Sequence, residues 1–130
     1  MLQEDFFTIT TLQADNNTVH AVLEINAAHR IFEGHFPGQP VVPGVCMMQM
    51  VKEVMEKVIG RTTRLVKADY LKFLSMVNPT ENNRITAQLK YTQNDNGEIQ
   101  VNGSLLNGTS TCLKFSGILS VLSEVEVPKL

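Results

Sequence analysis

The chain has 130 residues and a formal net charge of −2. This length predicts one domain spanning residues 1–130, and the charge argues against a broad basic surface for nucleic acid. No apolar run approaches the ~20 residues of a membrane-spanning helix, and the acidic start MLQEDFF is unlike a basic signal peptide. The two cysteines lack CxxC spacing, which predicts free thiols in a cytoplasmic protein. The three histidines form no His/Cys cluster, so we expect no metal, and we expect no cofactor.

Two strands are predicted at the start of the chain. Residues 5–12 are β-branched and aromatic, residues 14–17 indicate a turn, and residues 18–26 alternate with a period of two. The apolar side chains that share one face of the second strand are Val19, Ala21, Leu23 and Ile25.

A stiff loop and one helix are predicted next. Residues 34–44, GHFPGQPVVPG, contain three of the eight glycines and three of the five prolines, a density that no regular element tolerates. A helix is predicted over residues 43–59, with Pro43 in its first turn and Gly60 at its C-terminal end. Because this helix is apolar around most of its circumference, we expect it to be buried on several sides.

The rest of the chain predicts four strands, at residues 61–75, 84–93, 98–106 and 109–122. Asn96-Gly97 and Asn107-Gly108 are hairpin signals between the last three. Two strands, one helix and four strands predict an α+β fold, in which an antiparallel sheet of about six strands wraps around one long central helix.

His35 is the side chain in the stiff loop that is best suited to chemistry. It precedes a helix N-terminus, where unpaired backbone N–H groups and the positive end of the dipole can stabilise an oxyanion. A base beside such donors suits enolate or acyl chemistry, whereas the alternative is a loop histidine that only caps backbone carbonyls. The other candidates have structural interpretations: His20 as an exposed strand residue, His29 as a turn or helix-entry residue, and Cys46 as a small core residue.

The run GHFPGQPVVPGV resembles the signature of the 3-hydroxyacyl-acyl carrier protein dehydratases, which have the hot-dog fold. The family pattern H-F-P-G-x-P-x-x-P-G-V is matched at His35, Phe36, Pro37, Gly38, Pro40, Pro43, Gly44 and Val45. Residues 73–81 resemble the family's later F-x-x-P-V-x-P-G-D, with Met76, Thr80 and Glu81 as replacements. The order of elements agrees over about residues 5–122.

The resemblance implies loss of water from a 3-hydroxyacyl thioester on acyl carrier protein, giving the trans-2-enoyl product in fatty-acid-type biosynthesis. It implies that His35 takes the α-proton and that a backbone N–H at Gly44 or Val45 polarises the thioester carbonyl, with Phe36 and Pro43 also at the substrate. It further implies a homodimer, or a larger assembly of dimers, whose sites combine His35 of one chain with the helix of the other.

The family's helix carboxylic acid is replaced by Gln49, and an amide has no titrating proton to give. Glu53, one helical turn further on, could supply the acid instead. Gln49 could orient a water or the substrate hydroxyl while His35 performs both proton transfers. The chain could also have lost dehydration, and bind acyl carrier protein or pair with an active homologue. Alternatively, Gln49 and Glu53 belong to a solvated stripe with Lys52 and Glu56.

Two further hypotheses concern the reaction class and the partner. A hot-dog acyl thioesterase would use a helix carboxylate or amide to position a water, although thioesterases do not usually carry the full motif. An acidic acyl carrier protein would bind a basic patch on one strand, for which the alternative is a solvated strand. The candidate basic residues are Arg61, Arg64, Lys67 and Lys72.

Overall fold

The computed structural model describes residues 2–33 and 40–122. Its elements are β1 (Phe7–Asp15), β2 (Thr18–Ile25), a 3₁₀ helix (Arg30–Phe32), α1 (Gly44–Ile59), β3 (Thr63–Phe73), β4 (Arg84–Gln93), β5 (Glu98–Asn107) and β6 (Ser110–Val121). The strands form one antiparallel sheet in the order β1-β2-β4-β5-β6-β3. The predicted α+β class, with one α-helix and six strands, is confirmed over the described residues.

The first hairpin turns later than the sequence predicts. β1 begins at Phe7 and runs through Asp15, which pairs with Thr18. The turn itself consists of Asn16 and Asn17, at φ +51° and +60°. Asparagine tolerates this left-handed conformation, so two residues suffice to reverse the chain. The predicted turn over residues 14–17 was therefore too long, because the pairing of β1 with β2 continues to its last residue.

The core lies between α1 and one face of the sheet. The predicted alternation in β2 is confirmed, since its four inward side chains are at most 2% exposed: Val19, Ala21, Leu23 and Ile25. Cys46, Met50 and Met55 of α1 pack into the same cluster. The helix is not buried on every side, however, because Val45 is 76% exposed.

The ends of α1 differ slightly from the prediction. Pro43 lies just outside the helix as its N-cap, with φ −64° and ψ 144°, so Gly44 rather than Pro43 opens the first turn. At the other end, Gly60 has φ +70° and terminates the helix, as predicted. No helix in the described part of the chain is both long and apolar enough to cross a bilayer.

β3 is an edge strand whose side chains remain exposed. It spans Thr63–Phe73, shorter than the predicted 61–75, and every residue after Thr63 is exposed. Its free edge is opposite β6, with which it pairs. Both hairpin signals are confirmed, because β4 pairs with β5 and β5 with β6, and Gly97 and Gly108 have positive φ. An edge strand that exposes large apolar side chains needs a partner or another cover.

Candidate active site

The start of α1 presents backbone donors. The Val42 N–H donates to the Val77 carbonyl at 2.9 Å, which fixes the approach to the helix. The Pro43 carbonyl then accepts from Cys46 N and Met47 N, at 3.0 and 3.3 Å. Among the described residues, no acceptor takes the N–H of Gly44 or of Val45. These two groups can therefore donate to an anion or to a polarised carbonyl oxygen.

Gly44 is closely packed against an aromatic side chain. A Cβ at this position would lie 2.7 Å from Cζ of Phe73, the last residue of β3. The aromatic ring therefore covers the first turn of α1 beside the N–H groups of Gly44 and Val45. Sequence reasoning missed this contact, because nothing local to either residue indicates that the two meet.

Gln49 and Val45 lie one helical turn apart and border two cavities. One, of about 330 Å³, is also lined by Leu2 and Cys46. The other, of about 210 Å³, reaches the sheet at Leu65 of β3 and continues past further helix and β6 residues. The first turn of α1, at Val45, and the side chain of Gln49 thus border the same two cavities. A larger cavity of about 410 Å³, among β2, β4 and β5, contains none of the predicted site residues.

Glu53 is enclosed behind Gln49. Glu53 is only 1% exposed. One carboxylate oxygen accepts from Leu2 N and from Gln49 Nε2, both at 2.8 Å, and the other accepts from Gln3 N at 2.8 Å. All three partners are N–H donors, which match an ionised carboxylate. The contacts to Leu2 and Gln3 were not predictable, since they join positions 51 and 50 residues apart.

The polar stripe of α1 is not a solvated face. Glu53 is buried, and Glu56 accepts hydrogen bonds from Lys52 Nζ at 2.9 Å and from the backbone of Thr63 at 2.7 Å. These carboxylates connect the helix to neighbouring segments. The solvated interpretation was wrong for Glu53 and Glu56, because it considered spacing along the helix without its neighbours.

Of the remaining predicted residues, some lie outside the described part of the chain and others have structural roles. His35 and Phe36 lie outside the described residues. Cys46 is 4% exposed, and burial raises the pKa of its thiol, which confirms a core residue rather than a nucleophile. His29 caps the 3₁₀ helix by accepting from Ile31 N at 3.0 Å, as a helix-entry residue should. Within residues 2–33 and 40–122, no cluster of His, Cys, Asp and Glu could hold a metal ion.

Known proteins similar to this chain include dehydratases. Residues 11–105 match the family model described as ApeI-like, ApeI dehydratase. A 3-hydroxyacyl-[acyl-carrier-protein] dehydratase FabZ of Syntrophomonas wolfei is 32% identical over an alignment of 88 residues that covers 59% of this chain and 61% of the relative. The chain thus spans about three fifths of the length of this curated relative.

Solved structures agree in fold. The Dehydratase Heterocomplex ApeI:P from Xenorhabdus doucetiae has a TM-score of 0.62 at 19% identity, over 86% of this chain and 96% of that one. A putative thioesterase of Ralstonia eutropha, a phenylacetic acid degradation-related protein, has a TM-score of 0.61 at 13% identity, over 85% and 83%. These likenesses confirm the hot-dog architecture. Since the family match covers most of its length, the chain belongs to the ApeI-like dehydratase family.

Proposed function

We propose that the protein is a 3-hydroxyacyl-acyl carrier protein dehydratase of fatty-acid-type biosynthesis, which releases water and the trans-2-enoyl thioester. Family membership and the FabZ relative support this reaction class. The observation that carries the proposal is local: the N–H groups of Gly44 and Val45, which no described residue accepts, lie at the start of α1, where Val45 and Gln49 line the same cavity. Donors for a carbonyl oxygen and an acceptor for a hydroxyl are what the substrate needs at neighbouring positions.

In this mechanism His35 is the only group that moves protons. Its imidazole takes the α-proton from C2, and the C–H electron pair moves into the thioester as an enolate. The enolate oxygen accepts a hydrogen bond from Gly44 or Val45 at the helix start. The electrons then return to form the C2–C3 double bond, the 3-hydroxyl leaves, and His35 gives its proton to that oxygen. One water is released, and the imidazole is neutral again.

Gln49 would orient the leaving hydroxyl. Its Nε2 already donates to Glu53, so its Oε1 is the atom available to the substrate, and it can accept a hydrogen bond from the 3-hydroxyl group. Glu53 is a poor candidate for the acid, because its carboxylate is buried and engaged by three donors. Without a second acid, we expect turnover to be lower by about 10²–10⁴ than with a carboxylic acid at this position.

A dimer through β3 belongs to this proposal. Large apolar side chains along and just after this edge strand are 41–48% exposed: Leu65, Val66, Tyr70, Leu71, Phe73 and Leu74. Pairing β3 with the same strand of a second copy would satisfy the free edge and cover this surface. It would also bring together two copies of the site, since Leu65 lines one of the Gln49 cavities.

A second candidate is a catalytically inactive subunit that pairs with an active homologue. The observation that favours it is Gln49, which replaces the expected acid. The same β3 edge would then accept a related chain instead of an identical one. The relative from Xenorhabdus doucetiae is described as a heterocomplex.

Turnover of a 3-hydroxyacyl-acyl carrier protein, followed by mass spectrometry, tests the proposal. We expect enoyl product from the wild type and from His20→Ala, whose side chain is exposed on β2, but none from His35→Ala. Free thiol release instead of enoyl product would favour a thioesterase. If the wild type forms no product and activity appears only in Gln49→Glu, the catalytically inactive subunit is favoured.

A further inference from the structure

The buried carboxylate of Glu53 joins three parts of the molecule. Its charge needs hydrogen-bond donors, because burying an unpaired carboxylate is costly. The donors come from the Gln49 side chain and from the backbone of Leu2 and Gln3. Leu2 N and Gln3 N donate to one oxygen each, and Gln49 Nε2 is a second donor to the oxygen that Leu2 N contacts. The orientation of Gln49 and the position of the N-terminal segment are therefore coupled through Glu53.

The contact with Glu53 decides which way the Gln49 amide faces. An ionised carboxylate only accepts, so it must face Nε2 of Gln49 and not Oε1. Oε1 has no protein donor among the described residues, and no side-chain nitrogen or oxygen there is both buried and unpaired. Oε1 is therefore accessible, on the half-buried side chain that lines the cavity with Leu2 and Val45.

The N-terminal segment, residues 2–7, is a compact turn. The Leu2 carbonyl accepts from Asp5 N, Phe6 N and Phe7 N, at 3.2, 2.7 and 3.3 Å. Glu4 has φ +73°, a conformation that a residue with a side chain adopts only when its surroundings hold it there. The two hydrogen bonds from Leu2 and Gln3 to Glu53 fasten this turn to α1, so that the Leu2 side chain forms a wall of the cavity.

We propose that Glu53 is a positioning residue of the active site: it orients Gln49 so that Oε1 accepts from the substrate hydroxyl, and it holds Leu2 as a wall of the acyl cavity. This inference rests on the proposed dehydratase function. It assigns the helix carboxylate to orientation and not to proton transfer. It also makes Leu2 and Gln3 part of the site.

Glu53→Gln is the main test. A neutral amide at position 53 cannot accept from all three donors, and it favours rotation of the Gln49 amide, which would turn a donor towards the substrate. We expect kcat to fall about tenfold or more while KM for the acyl carrier protein substrate changes less than twofold. Glu56→Gln, which removes a hydrogen-bonded carboxylate of the same helix away from Gln49, should lower stability similarly and leave kcat unchanged. Equal kcat losses in both variants would overturn the inference.

A readout independent of activity separates this inference from the proposed function. In the NMR spectrum of the wild type, the side-chain NH₂ of Gln49 should exchange with solvent more slowly than that of the exposed Gln13. Equal exchange would overturn the inference even where Glu53→Gln does not fold. If the Gln49 NH₂ group exchanges slowly but the wild type forms no enoyl product, the proposed function is wrong, whereas the contact between Gln49 and Glu53 is present.

Leu2→Ala tests the cavity wall separately. The variant keeps the backbone donors to Glu53 and should leave the Gln49 amide unchanged. Because it enlarges the cavity, we expect the ratio of turnover on long to short acyl chains to rise several-fold. An unchanged ratio would remove the N-terminal segment from the proposed site.

Discussion

At the scale of single residues, His29 connects the 3₁₀ helix to the N-terminal segment. Its Nδ1 accepts from Ile31 N at 3.0 Å, so the ring proton is on Nε2, which donates to Asp5 at 3.0 Å. The ring also meets Phe6 edge-on, with centroids 5.4 Å apart. One imidazole thus caps the 3₁₀ helix and ties it to the N-terminal segment.

His29→Ala should lower the free energy of unfolding by about 1–2 kcal/mol, because it removes the cap acceptor. His29→Asn, which keeps an acceptor for Ile31 N, should cost less. Asp5→Asn should cost under about 0.5 kcal/mol, because the Asp5 side chain is 77% exposed and such pairs contribute little. Urea unfolding of the three variants tests this order, and equal losses for both His29 variants would contradict the role of the cap.

At the scale of elements, the start of α1 depends on the end of β3. Phe73 packs against Gly44, where an added Cβ would be 2.7 Å from the ring. The ring is 47% exposed, so it can swing outward at a modest cost. The helix start is therefore shaped by a residue that lies in a different element and far along the chain.

Gly44→Ala should lower stability by about 1 kcal/mol and reduce dehydration, because the new methyl displaces Phe73 and crowds the N–H donors. The same substitution in a Phe73→Ala background should cost less, since the clash is absent there. A double-mutant cycle by chemical unfolding measures this coupling. Additive losses would show that the two residues do not interact.

At the scale of the whole molecule, the exposed edge of β3 predicts a dimer. Light scattering after gel filtration should give twice the chain mass for the wild type. Val66→Lys should give a monomer with little activity, because a charge is placed on the apolar edge. Thr8→Lys is the matched control, since Thr8 is exposed on β1 at the other end of the sheet. A monomeric wild type, or dissociation by both variants, would contradict dimerisation through β3.

The buried Cys112 thiol makes the free energy of unfolding depend on pH in the alkaline range. Burial raises the pKa of Cys112 to about 11, and its Sγ–H donates to the Leu105 carbonyl at 3.3 Å. The unfolded thiol loses its proton first, near pH 9, so the stability contributed by the protonated thiol is present below pH 9 and is lost as the pH rises towards 11. The loss amounts to at most about 3 kcal/mol.

The difference in unfolding free energy between wild type and Cys112→Ala isolates this thiol. Measured by urea titration from pH 8 to 10.5, the difference should shrink as the pH rises, because only the wild type carries the titrating group. Other alkaline titrations affect both proteins and cancel. A constant difference over this range would contradict the raised pKa.

The sequence by itself determined the features that depend on neighbouring residues. The alternation of Val19 to Ile25, the turn at Gly97 and the helix end at Gly60 follow from side-chain period and backbone freedom, which are local properties. The motif around Gly44 likewise indicated the dehydratase family before any contact was known. The limits of β1 were less well determined, because pairing with β2 decides where a strand ends.

Only the tertiary structure decided what the polar helix residues do. Glu53 has the spacing of a solvated or catalytic side chain, yet it is buried because residues 2 and 3, about fifty positions away, donate to it. The position of Phe73 over Gly44 and the exposure of β3 have the same origin. Burial and hydrogen bonding are properties of groups that meet in space, and the periodicity of one element contains no information about its distant partners.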